Sequence, residues 1–207
     1  MMAVPNLTIS EQTLMDIYQE AVRSVVAAYE RARATGRRNM NAMSLATVSG
    51  DGRPSVRTVL LKHVDESGLI FFTDARSRKG RDLAANKAAS ICMYWEPIEE
   101  QVRVDGYVES VSTQTVADDF AARPRAGQVM LWASTQSHEL DSMESLRART
   151  SELETTLADP APIPPDWTGY RLVPDYIETW RGSRDRLHER IAYQQRMDGW
   201  QKQWLQP

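Results

Sequence analysis

The sequence predicts a mainly β domain, a small closed or split antiparallel barrel with helices at its periphery. Three observations carry that expectation. Many short apolar runs of strand length are separated by tight-turn sequences such as "GDGRP" and "DESG". The helical stretches fall in blocks between groups of strands, whereas a doubly wound fold would alternate them one for one. At 207 residues the chain suits one domain with helical additions and can bury a full core.

From about Ile9 to Ala34, residues Leu14, Ile17, Tyr18, Val22, Val25 and Val26 recur at three- and four-residue spacing, the stripe of an amphipathic helix. Ser10, with Glu11 and Thr13 beside it, supplies a start and Gly36 a stop. The period then becomes that of strands in "MSLATVS" (43–49), "SVRTVLLKHV" (55–64) and "GLIFFTD" (68–74). Their connections are too short for parallel crossovers, so the three read as an antiparallel meander. A short helix follows over about 77–86, then strands "ASICMYW" (89–95) and "QVRVDGYVESV" (101–111), the second with a bulge expected at Gly106. Helical patches near 113–122 and 138–157 precede the Pro-rich linker "DPAPIPPDW". The tail returns to strands in "YRLVP", "YIETW", "RLHERIAYQ" and "WQKQWL". Residues 1–40 are thus expected to form an N-terminal helical segment and 41–207 the barrel domain.

A formal net charge of −3 speaks against general nucleic-acid binding, which needs a broad basic face. The longest apolar runs, such as "TVLL" and "LIFF", are strand-sized, and "MMAVPNLTIS" lacks the basic flank and apolar core of a secretion signal. A lone cysteine, Cys92, excludes an intrachain disulfide, and no Cys/His spacing suits a zinc site. A cytoplasmic, metal-independent protein is expected. There is no G-x-S-x-G, G-x-G-x-x-G or Walker loop, so an enzyme built on this chain needs a bound cofactor to carry its chemistry.

Positive charge is nonetheless concentrated. In "RGSRDRLHER" (181–190) a strand over 186–192 would put Arg186, His188 and Arg190 on one face and Leu187, Glu189 and Ile191 on the other. Two guanidiniums around an imidazole fit an anion between them; an edge strand using charge against aggregation is the alternative. In "TDARSRKGRDLAANK" Ser77 or Asp74 can cap a helix whose first turn holds Arg78, Lys79 and Arg81. The macrodipole opposes each cation there by up to about 1 kcal/mol. A phosphate on the free N–H groups reverses that sign; otherwise the side chains reach solvent or pair with Asp74 and Asp82. Arg57 and Lys62 face opposite ways if one strand carries both, which suits separate phosphates on a cofactor and a substrate. Trp95, Trp132 and Trp180 lie near loops and could wall a flavin or pyridine ring, although core packing is the commoner use of tryptophan.

Taken in order, "SLATVSGDGRPSVRTVLLKHVDESGLIFFTDARSRKG", "YWEPIEEQVRVDGYVE", "RPRAGQ…WASTQS" and "RLHERIAYQ…W…LQP" resemble the pyridoxine/pyridoxamine 5′-phosphate oxidase family, from about residue 43 to the C-terminus. The resemblance implies an FMN-binding split β-barrel of antiparallel, Greek-key-like strands, and a homodimer with flavin in clefts between the subunits. It implies FMN contacts at Arg57, Lys62, Phe72, Thr73, Arg78 and Lys79, then at Gln101, Gln136, Ser137, Trp180 and Arg190. Phe72 stands where the family commonly has tyrosine. The implied substrate site draws on Lys62, Arg123, Arg186, Leu187 and His188, with Arg186 and His188 as the catalytic pair that places the reacting carbon.

Two positions depart from the family pattern. Its usual tyrosine falls on Asp119 of "DFAARP", and its usual serine, four residues after the arginine, on Gly127. Both normally help hold the substrate phosphate, and each lost hydroxyl donor is worth about 1 kcal/mol or more. A carboxylate at 119 repels a dianion further unless it turns away or pairs with Arg123 or Arg125. The first implied function is an oxidase converting pyridoxine or pyridoxamine 5′-phosphate to pyridoxal 5′-phosphate, with O2 reduced to H2O2. A second keeps fold and flavin but oxidises a reduced tricyclic precursor in phenazine biosynthesis; Asp119 and Gly127 favour it, whereas Lys62 and "RLHER" favour the first. A third is a non-catalytic flavin or pyridoxal-phosphate carrier.

Overall fold

The computed structural model describes residues 11–207, with side chains from residue 16, so the helix start expected at Ile9 and Ser10 lies outside the described residues. Helix α1 (Glu11–Ala34) stops ahead of Gly36, which takes the left-handed φ of +70° that a chain reversal there requires. Its buried face is Ala21, Val22, Val25, Ala28 and Ala32, while Ile17 and Tyr18 pack at the edge of the core. Small alanines let the helix lie close on the barrel. Tyr18 stacks on Trp200 at 4.8 Å, and Arg31 grips Glu100 through two hydrogen bonds of 2.9 and 2.7 Å.

Strands β1 (Ala42–Val48) and β2 (Pro54–Leu60) form one hairpin, and β3 (His63–Asp65) and β4 (Gly68–Asp74) a second. Helix α2 (Arg78–Ala85) leads into β5 (Ala88–Trp95) and β6 (Glu100–Ser110). Helices α3 (Thr113–Ala121), α4 (Arg125–Ala133) and α5 (Met143–Thr156) precede β7 (Trp167–Arg181), β8 (Glu189–Arg196) and β9 (Gly199–Trp204). Every pairing is antiparallel, in the order β2-β1-β5-β6-β7-β4-β3 with β8 and β9 branching from β7. The ends of that path, β2 and β3, are consecutive in the chain, so the sheet must curl until its two edges meet at Leu61 and Lys62. Strand β7 also splits one of its edges: Trp167–Leu172 pairs with β4, and Tyr176–Arg181 with β8. The interior is filled by Leu45, Phe71, Ile91, Met93, Val102 and Leu172, all at most 2% exposed.

The mainly β, helix-edged architecture is as expected, with five corrections. Residues 55–64 are two strands in different hairpins, broken at Leu61 and Lys62, so the meander does not continue through them. The segments "YRLVP" and "YIETW" form one 15-residue strand, because the bulge beside Gly106 absorbs the irregularity at Pro174 without ending the pairing. There a Cβ on Gly106 would meet the Val173 carbonyl oxygen at 2.0 Å, so the expected glycine bulge is imposed by close backbone approach. Residues 125–133 form a helix not anticipated, and α5 begins at Met143 where Ser142 caps it. Residues 182–188 are a turn, and β8 begins only at Glu189.

Candidate active site

Helix α2 starts beside the end of β4. Ser77 caps it, its Oγ accepting from Gly80 N–H at 3.1 Å, while Asp74 binds Arg76. A Cβ on Gly80 would lie 2.3 Å from the Ala75 oxygen, so only glycine lets this first turn fold back so tightly. Around it gather the Thr73 hydroxyl, the Lys79 ammonium and the Gln136 amide: Lys79 Nζ donates to Gln136 Oε1 at 2.9 Å and to Ser77 Oγ at 3.2 Å, and Thr73 Oγ1 donates to Gln136 Oε1 at 3.1 Å. Arg57 reaches the same region from β2, donating to Thr47 Oγ1 at 2.7 Å and facing Asp82 at 3.6 Å. Burial, reinforced by Arg57, holds the Lys79 ammonium below its ordinary pKa. Burial likewise lowers Arg57, with Arg78 nearby adding to the effect and Asp82 opposing it. Asp82 answers Arg57 and Asp74 acts on Lys79 from further off, but Lys79 itself meets hydroxyl and amide partners beside a helix start, a nest chemically suited to a phosphate monoester.

The second cluster belongs to α3 and the β2–β3 break. Lys62, whose N–H donates to Ile70 at 2.9 Å, sends its ammonium to Asp119 Oδ1 at 3.1 Å. Arg123 donates twice to Asp119 Oδ2, at 2.9 and 2.8 Å, and its guanidinium lies 4.5 Å from the Trp167 ring centre. Asp119 thus pairs with Arg123, one of the two outcomes open to it, and bridges to Lys62 as well; Arg125 instead donates to the Leu157 and Ala158 carbonyls. A cavity of about 520 Å³ opens beside them, lined also by Phe72, Asp118 and Arg171.

The third cluster lies across β6, β7 and β8, where register puts Gln101, Trp180 and Arg190 in one row. Arg190 is held by Glu178, 3% exposed, through a hydrogen bond of 2.9 Å from Nε and an ion-pair contact of 2.8 Å from Nη2. Tyr176 also donates to Glu178 at 2.7 Å; burial, with that carboxylate adding to it, pushes the phenol up to about 12. Next to this row the 182–188 turn closes through Arg186 N–H to Ser183 O at 3.1 Å, with Arg186 at φ +69°. Ser183 N–H donates to His188 Nδ1 at 3.1 Å, which assigns the ring proton to Nε2, and the imidazole packs 4.9 Å from Trp180. Leu187 is 70% exposed.

The fold therefore gathers the sequence-derived residues into three groups and does not unite the groups within one chain. Arg57, Thr73, Lys79 and Gln136 meet at α2, with Arg78 and Ser137 exposed at its margin. Lys62 and Phe72 line the cavity, and Arg123 stands behind its Asp119 wall, bound to that carboxylate. Gln101, Trp180, His188 and Arg190 meet at the far end of β7 from Thr168, the partner of Thr73. About 40 Å of strand separates those two ends at the usual rise per residue. Arg186, expected on a strand beside His188, is carried by the turn instead. Trp95 is core, its indole bound to the Met40 carbonyl at 2.7 Å, and Trp132 bonds to Pro162 at 2.8 Å. Ser77, expected as a helix cap, also touches Lys79, while Thr47 and Glu178 are additions to the expected residues. Glu178 was detectable, since Tyr176, Glu178 and Trp180 share one strand face by alternation.

The sequence matches the family described as pyridoxamine 5′-phosphate oxidase over residues 30–157 and the pyridoxine 5′-phosphate oxidase C-terminal dimerisation region over 167–207. A Myxococcus xanthus protein named pyridoxine/pyridoxamine 5′-phosphate oxidase is 47% identical over 180 residues, 86% of this chain and 87% of that one. A Burkholderia vietnamiensis protein of the same name is 49% identical over 153 residues, 74% of this chain and 72% of that one. Among solved structures, PhzG from Burkholderia lata in complex with tetrahydrophenazine-1-carboxylic acid has a TM-score of 0.86 at 34% identity, covering 91% of this chain and 93% of that one. A pyridoxamine 5′-phosphate oxidase-related, FMN-binding protein from Nostoc punctiforme shares the fold with a TM-score of 0.72 at 20% identity, over 89% of this chain and 95% of that one.

Proposed function

This chain belongs to the pyridoxamine 5′-phosphate oxidase family of FMN-dependent oxidases, and from that premise we propose that it oxidises pyridoxine or pyridoxamine 5′-phosphate to pyridoxal 5′-phosphate with O2 as acceptor. The observation that carries the flavin half is the nest of Arg57, Lys79, Thr73 and Ser77 at the start of α2. These residues and Arg78 hold the FMN phosphate, Gln136 and Ser137 border it, and Phe72 contributes main chain. FMN held there would supply the two-electron redox chemistry, hydride acceptance from substrate and reduction of O2 to H2O2.

The protein's part is placement. Gln101, Trp180 and Arg190 form the ring-end row, with Glu178 fixing Arg190. His188 presents Nε2–H as a donor, because Ser183 occupies Nδ1. Arg186 and His188 place the reacting carbon, Leu187 covers it, and Lys62 and Arg123 take the distal anionic group. Thr73 and Trp180 sit at opposite ends of β7 and Arg57 lies several strands away from Trp180 across the sheet, so the site is read as one that two copies of the chain complete. The matched dimerisation region supports a homodimer of that kind.

One observation favours a second substrate, a reduced tricyclic carboxylate of phenazine biosynthesis: Asp119 already pairs with both Lys62 and Arg123. Oxygen uptake by the FMN-loaded protein tests the proposal. Pyridoxine 5′-phosphate should drive O2 consumption with matching H2O2 and pyridoxal 5′-phosphate. Uptake only with the reduced tricyclic acid transfers the assignment to the second substrate. A bound flavin that drives no uptake with either one identifies a carrier and overturns the oxidase.

A further inference from the structure

We infer that Asp119 is a specificity-determining residue: a built-in counter-anion that weakens the preference of the subsite at Lys62 and Arg123 for a phosphate dianion over a neutral or singly charged group. The inference rests on the reading of the adjoining cavity as the substrate cleft. The cations at that cavity are already matched. Lys62 and Arg123 share Asp119 at 3.1 and 2.8 Å, and Arg171 holds Asp65 at 2.8 Å. Asp118 adds another carboxylate to the lining. The nest at α2 is a partial contrast: Arg57 faces Asp82 at 3.6 Å, but Lys79 has hydroxyl and amide partners and, among the described residues, no carboxylate within ion-pair distance.

Asp119 cannot simply rotate aside. Its side chain is 9% exposed, each oxygen is engaged, and α3 sets it one helical turn before Arg123. A dianion reaching Lys62 and Arg123 must therefore face a fixed carboxylate or break two ion pairs to displace it. A hydroxymethyl group meets no such opposition, and one carboxylate meets half of it. Gly127 adds no donor of its own, although a Cβ there would sit in ordinary contact, 3.8 Å from Arg123 Cβ.

Equilibrium titration of the FMN-loaded protein, followed by flavin absorbance, tests this with pyridoxal 5′-phosphate and pyridoxal. The unmodified protein should prefer the phosphorylated ligand by less than about tenfold, and Asp119→Asn should raise that preference by about tenfold or more, as removal of a like charge predicts. A larger preference in the unmodified protein overturns the inference. So does an Asn variant whose ratio stays put or in which both ligands weaken alike, since Asp119 would then only hold its neighbours in place. Failure of both ligands to bind overturns it too. Binding without oxygen uptake sinks the oxidase assignment alone and leaves the role of Asp119 standing.

Discussion

Lys79 is held below its ordinary pKa of 10.5 by burial first and by Arg57 second, and a bound phosphate would relieve both the charge crowding and the missing partner. Replacing Lys79 by Met should weaken FMN binding by about tenfold or more, the usual loss of a charge-assisted hydrogen bond, measured by quenching of flavin fluorescence. The pH dependence has a fixed sign. FMN favours the protonated ammonium, so affinity is complete below the depressed pKa and falls as pH rises through it, at a pH below 10.5. Lys79→Arg should flatten that fall, because a guanidinium stays charged; an unchanged slope would place the titration elsewhere. Most of these residues were legible as positions. What they touch was not, since Lys79 meets Gln136 and Lys62 meets Asp119 only through long-range folding. The charge of Asp119 stood in the sequence, but its pairing with two cations did not.

The elements make their own predictions. Ser77→Ala removes the cap of α2 and should cost about 1 kcal/mol in urea unfolding. Gly106→Ala forces a methyl into the Val173 carbonyl at the β6–β7 bulge and should cost about 1–3 kcal/mol. Gly127→Ala in α4, where a Cβ meets only ordinary contact, should stabilise by about 0.5–1 kcal/mol. Similar losses at both glycines would contradict the packing given for them. Hairpins, the α2 cap and the bulge were readable because each depends on a few adjacent residues. The break at Leu61 and Lys62 was not, because the chain changes sheet partner there without a turn residue. The α4 helix was hidden by its glycine in the first turn and by the proline before it.

At the scale of the whole molecule, barrel closure follows from chain order, with β2 and β3 consecutive yet at opposite ends of the sheet path. Helix α1 seals that barrel through Arg31 to Glu100 and Tyr18 to Trp200, a role no local pattern announced. The central proposal is quaternary: one FMN would need the α2 nest of one copy and the Gln101–Trp180–Arg190 row of another. Mixing two defective variants measures this directly. Lys79→Met and Arg190→Met proteins, each alone, should retain little FMN at micromolar ligand. After subunit exchange in equal amounts, hybrid dimers carry one intact and one doubly damaged site, so binding should return to about one FMN per four protomers. No recovery on verified exchange, or one FMN per chain on a monomer, would contradict the shared site.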